Sequence, residues 1–148
     1  MPGIDCIYMI NLDHQQEKYR ESAKQLEEYH IFPHRFSAIY GRNLPFETVN
    51  DLGVVYTIPM RRDVMGTTYY VNEHGEMRHR HEPIATPGIT YYSHCMALGP
   101  IAIVLSHLSV LKHAYESGYN TVWVLEDDID VVTNPYKLPS FVDELTEL

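Results

Sequence analysis

Cysteine is scarce here: Cys6 and Cys95 are the two thiols in 148 residues. Two thiols could pair but form no disulfide framework, so the expectation is buried, reduced thiols in a cytosolic protein. Basic charge is short as well, with 11 Lys and Arg against 20 Asp and Glu and a net charge of -9. That balance argues against a nucleic-acid backbone or an anionic membrane surface as the main partner. An anionic ligand would need a bound cation to offset the protein's own field. No long apolar run occurs. "MALGPIAIVL" (96–105) is the longest and contains Gly99 and Pro100, whereas a membrane span needs about 20 such residues. "MPGIDCIYMI" has no basic leader, so no signal peptide is read. Repeats and low-complexity tracts are also missing. What remains, 45% hydrophobic and 21% charged residues, is ordinary for one globular domain over 1–148 with a real core.

Both ends of the chain alternate strand and helix. "CIYMINL" (6–12) is an apolar run suited to a buried strand of a parallel sheet, ending at Asn11. Asp13 offers a helix N-cap, with Gln16 as a weak capping-box partner. Tyr19, Ala23, Leu26 and Tyr29 then make one buried stripe, opposite Glu17, Lys18, Arg20, Glu21, Lys24 and Glu28. "HRFSAIY" (34–40) reads as a second strand closed by Gly41. Order returns at Gly99. Pro100 suits a first helical turn and Gly118 a C-terminal cap. Val104, Leu105, Leu108, Leu111 and Tyr115 are the expected buried stripe, with Ser106 and His113 on a more polar side. "TVWVL" (121–125) is a third buried strand. Between these ends, residues 42–98 are irregular, a candidate lid or insertion broken by Pro45, Pro59, Pro83 and Pro87. Within it "YYVNEHGEMRH" (69–79) resembles a hairpin turning at Asn72 to Gly75.

The chemistry concentrates where the third strand ends. Glu126, Asp127, Asp128 and Asp130 follow "TVWVL" directly, and in an open α/β sheet ligands bind at the carboxyl ends of strands. Carboxylates one residue apart can hold a hard divalent cation and leave positions open for phosphates. A solvated charged turn is the bland alternative, and the apolar strand behind the acids weighs against it. "DIDVV" (128–132) resembles the nucleophile motif of haloacid-dehalogenase phosphatases. That motif opens its domain, and the few residues after it cannot supply the partner motifs. His79, His81 and His94 with Cys95 suggest zinc, but no spacing matches a familiar module. A histidine-rich surface strand is the better reading.

Four stretches together resemble glycosyltransferase family 25, the lipooligosaccharide-type β-galactosyltransferases. They are "IYMINLDHQQEKY", "HRFSAIYGRNL", "LGPIAIVLSHLSVL" and "WVLEDDI", in the family's order. Pro100 stands where the family usually has Glu, and Lys18 where it has Arg, which keeps charge but loses the planar fork. The family's chains continue beyond the acidic motif into an acceptor-binding half. The expectation is therefore a GT-A-like, Rossmann-like α/β fold, a mostly parallel sheet flanked by helices, truncated after the acids.

The resemblance implies inverting transfer of a hexose, galactose first, from a UDP-sugar to a glycan or lipid-linked glycan such as lipooligosaccharide. Mn²⁺ or Mg²⁺ would be held by Glu126 and Asp128, with Asp127 close behind. Asn11 and Asp13 would line the uridine or ribose, Ala38 and Gly41 would pass close to the nucleotide, and Ser106 and His107 would face the donor sugar or diphosphate. No catalytic base is assigned. The implied location is cytoplasmic, or peripheral at the inner membrane face. The tail "LPSFVDELTEL", apolar at Phe141, Val142, Leu145 and Leu148, leads to an expectation of self-association through the C-terminal region. The competing reading is a catalytically inactive or incomplete glycosyltransferase-like domain acting as a binding or partner subunit.

Overall fold

The computed structural model describes residues 1–58, 64–93 and 96–146. The readings placed on Pro59, His94, Cys95 and Leu148, and on the side chains of Val142 and Leu145, lie outside the described residues. In chain order the elements are β1 (Cys6–Asn11), α1 (Gln16–Glu27), β2 (His34–Ser37), α2 (Phe46–Leu52), β3 (Val54–Val55) and β4 (Met65–Val71). They continue with β5 (Met77–Pro83), β6 (Thr90–Ser93), α3 (Leu98–Glu116), β7 (Val122–Glu126) and α4 (Leu138–Thr146). The chain forms two compact units, residues 1–39 with 103–148, and residues 40–102.

In the first unit β1 lies between β2 and β7, and both pairings are parallel. Successive side chains of a strand face opposite ways, and that alternation builds two apolar layers. Tyr8 and Ile10 turn toward Val110 and Ala114 of α3, joined by Phe36, Val122 and Val124. Met9 turns the other way to Leu26 of α1 and to Ile31, joined by Trp123, Leu125 and Ile129. The result is a mixed α/β unit with helices on both faces of a parallel sheet. A cavity of about 290 Å³ lies beside β7, lined by Leu26, Trp123, Leu125, Ile129, Leu138 and Phe141 among others.

Two readings of the helices are corrected. The face of α3 expected to be buried is open: Val104, Leu108, Leu111 and Tyr115 are 49%, 55%, 52% and 85% exposed. Ser106, Val110 and Ala114 are buried instead. Apolar residues run round most of this helix, so periodicity could not select a side. Smaller residues at i, i+4 and i+8 fill the inward face. The C-terminal end is as expected, with Gly118 at φ 73. Gly118 N–H donates to the Tyr115 carbonyl and Tyr119 N–H to that of Ala114, a Schellman pair.

Asp13 does not cap α1. A short 3-10 turn, Asp13–Gln15, precedes the helix, and neither start carries a side-chain cap bond. The Asp13 carboxylate is taken by Arg35 and Ser37 of β2. A charge-assisted bond to guanidinium outweighs a bond to an exposed peptide N–H.

The second unit is more regular than predicted. Its four strands form an antiparallel sheet in the order β3-β6-β4-β5. The expected hairpin is present and longer than the sequence suggested, pairing Met65 with Pro83 through Val71 with Met77. Its turn is held by Asn72, whose Oδ1 accepts from the N–H groups of His74 and Glu76. His79 and His81 lie exposed on β5, as a surface strand requires.

Candidate functional site at the carboxyl ends of the parallel strands

Strand register brings three carboxyl ends level. Asn11 is opposite Ser37, and Ile10 is opposite Glu126. The acids after β7 therefore begin beside the residue that ends β1, where open α/β sheets bind ligands.

Asn11 is the hub of this edge. It is 1% exposed, and burying an amide is tolerable only when its donors and acceptor are used. Its Nδ2 donates to Asp127 Oδ2 at 2.5 Å and to the Gln15 carbonyl at 2.9 Å. Its Oδ1 accepts from Arg35 Nε at 2.8 Å. The Arg35 guanidinium also meets Asp13 Oδ1 at 2.7 Å, and Ser37 Oγ donates to Asp13 Oδ2 at 2.8 Å. These two bonds, Arg35 first, hold the Asp13 carboxyl below its ordinary pKa range.

The acidic turn is braced from α1 as well. Ser22 Oγ donates to the Asp127 carbonyl at 2.8 Å. Gln25 donates to the Ile129 carbonyl at 3.1 Å and accepts from Val131 N–H at 2.9 Å. On the α3 side, His107 Nε2 and Glu126 Oε1 lie 3.2 Å apart, with side chains 39% and 50% exposed. Buried Ser106 accepts from Ile39 N–H through Oγ at 2.9 Å, and Ala38 N–H donates to the Asn11 carbonyl at 2.9 Å. These two bonds carry the backbone past β2 in register.

The expected residues thus fall into groups. Asn11, Asp13 and Asp127 share one network, and His107 and Glu126 form a pair. Asp128 is exposed beside them. Ala38 and Ser106 shape the backbone after β2. Gly41 belongs to the second unit, where a side chain would run into the Leu98 carbonyl. Arg35, Ser22 and Gln25 were missed as site residues. Arg35 had a signal, being a lone basic residue in a short strand within a quoted motif.

Among the described residues no three His, Cys, Asp or Glu side chains converge as a ready-made metal cluster. The donor set still suits a hard cation, because Mg²⁺-type sites use one or two carboxylates and leave the rest to phosphates and water. Glu126, Asp127 and Asp128 are the acids on which this fit rests: Asn11 engages Oδ2 of Asp127, His107 engages Oε1 of Glu126, and Asp128 is exposed.

The family model described as Glycosyltransferase family 25 (LPS biosynthesis protein) matches residues 4–147. The chain belongs to glycosyltransferase family 25. It is also similar to a protein of Aedes aegypti described as a Glycosyltransferase 25 family member, with 26% identity over 127 residues. That alignment covers 86% of this chain and 16% of the mosquito protein. No solved structure is a significant match. In this family 25 chain the "INLD" stretch ends β1, "LSH" sits on α3, and "LEDD" closes β7. No helix of the described residues is long and apolar enough to cross a membrane.

Proposed function

We propose that this chain is the nucleotide-sugar-binding part of a GT-A-type transferase, using a UDP-hexose, galactose first, as donor. The observation that carries this reading is the level edge where Asn11, Asp13 and the acids after β7 meet, in a chain of family 25. Asn11 and Asp13 would face the nucleoside, and His107 the donor sugar or diphosphate. Glu126 and Asp128, with Asp127 close behind, would hold Mn²⁺ or Mg²⁺. A bound divalent ion would supply the charge that offsets the departing diphosphate. In inverting transfer an acceptor hydroxyl of a glycan or lipid-linked glycan attacks the anomeric carbon, the bond to the diphosphate breaks, and a base takes the hydroxyl proton. The reading places this work in the cytoplasm or at the inner membrane face.

Self-association belongs to the same reading. Among the described residues β7 is an edge strand, and Val132 and Phe141, later in the chain, are 86% and 54% exposed. Sedimentation at micromolar concentration reads this directly, and a clean monomer would remove it.

Donor class is tested by thermal shift in Mn²⁺ with UDP-galactose, UDP-glucose, GDP-mannose and CMP-sialic acid. The UDP-sugars should stabilise the chain, UDP-galactose most. Ligand at a hundred times its Kd contributes about 2.7 kcal/mol. Stabilisation by GDP-mannose alone would overturn the assignment.

A further inference from the structure

Arg35 sits on β2, two strands away from the acidic turn, yet a chain of side chains connects them. Its Nε donates to Asn11 Oδ1 at 2.8 Å, and Asn11 Nδ2 donates to Asp127 Oδ2 at 2.5 Å. A side-chain amide has two unlike ends. Once a cationic N–H holds the oxygen, the NH₂ end must point the other way. Here that direction is the Gln15 carbonyl and Asp127. The second arm of Arg35, on Asp13 at 2.7 Å, fixes the guanidinium plane and with it the position of the Asn11 amide. Among the described residues, the side-chain bond that orients Asp127 comes from β1 rather than from β7 itself.

We propose that Arg35 is a positioning residue for the acidic turn. Through Asn11 it holds Asp127 Oδ2 in place and so sets the side-chain geometry of the turn that carries Glu126 and Asp128. This deepens the metal–nucleotide reading above and rests on it for the identity of that ligand. A lysine could not replace the arginine fully, because an ammonium lacks the planar fork that reaches Asn11 and Asp13 together. Ser22 holds the Asp127 backbone independently. Loss of Arg35 should therefore loosen the side-chain geometry of the turn without unfolding the sheet.

The test is an amide NMR spectrum of the full chain, metal-free, for wild type, Arg35→Gln and Arg35→Lys, followed by titration with Mn²⁺ alone. In Arg35→Gln the Asn11 side-chain NH₂ and the backbone amides of 127–131 should shift, while the amides of α3 stay in place. Mn²⁺ affinity should fall roughly tenfold or more, the scale seen when partners of metal ligands are removed. Arg35→Lys should give a smaller change of the same kind, and it decides the matter if the glutamine variant does not fold. In an Asp127→Asn background the added effect of Arg35→Gln should shrink, since residues acting through one partner are not additive. A lowered melting temperature with the turn amides unmoved would overturn the proposal and leave Arg35 a fold residue. If wild type binds no Mn²⁺, the metal reading fails, and the metal-free turn amides still decide the role of Arg35.

Discussion

At the scale of single residues, the structure turns on buried polar groups whose partners lie far away in sequence. Asn11 and Asp127 are 116 residues apart, and Arg35 meets Asn11 across 24. Leaving such an amide unpaired costs about 1–3 kcal/mol, so its partners are as important as its identity. That Asn11 and the acids would stand at strand ends was legible in the sequence, because both close apolar runs. That Asp13 would leave its helix for Arg35 was not, since a local capping pattern carries no information about a strand 22 residues on. Tyr8 gives a prediction at this scale. It is fully buried, shares a 2.7 Å hydrogen bond with His113 Nδ1, and its pKa is pushed up to about 12, by burial first and then by Cys6. A raised pKa means that the folded state keeps its proton while the unfolded chain loses it. The stability this provides is intact below pH 10.0, the ordinary value, and is lost as pH rises toward about 12. Urea unfolding from pH 9 upward should show that decline, and Tyr8→Phe should reduce its slope. An unchanged slope would mean that other groups carry the alkaline limb.

Elements were more legible than their faces. The alternation of strand and helix at both ends and the hairpin near Asn72 follow from periodicity and turn residues, which are local properties. The inward face of α3 does not, because the helix has Ile, Val and Leu on nearly every side. Packing decided it: Ser106 reaches the backbone of Ile39, and Val110 and Ala114 let the helix approach Tyr8 and Ile10. Adjacent residues therefore separate the two readings. Val110 is fully buried and Leu111 is 52% exposed. Val110→Ala should cost about 2 kcal/mol from lost burial and the cavity left behind. Leu111→Ala should change stability by no more than about 0.5 kcal/mol. Denaturant midpoints check both, and the reverse order would restore the face expected from the sequence.

Over the whole molecule, the division into two units echoes the shift from regular to irregular patterning near residue 40 and back near residue 100. The antiparallel sheet in 40–102 was illegible beyond its hairpin because β3 and β6 are short and pair with distant partners. Family membership and the level strand ends bear on one central claim, that this edge binds a metal–nucleotide pair in a chain of net charge -9. Without a cation, a diphosphate would approach Glu126, Asp127 and Asp128 against their charge. The most direct measurement is calorimetric titration of UDP into the chain with Mn²⁺ and again in EDTA, for wild type, Asp128→Asn and His107→Ala. Mn²⁺ should tighten UDP binding by about 1–3 kcal/mol, or 5- to 150-fold. Asp128→Asn should lose most of that coupling, and His107→Ala should weaken binding with the melting temperature nearly unchanged, Ala being the better helix former. Equal UDP affinity in Mn²⁺ and in EDTA would contradict the account.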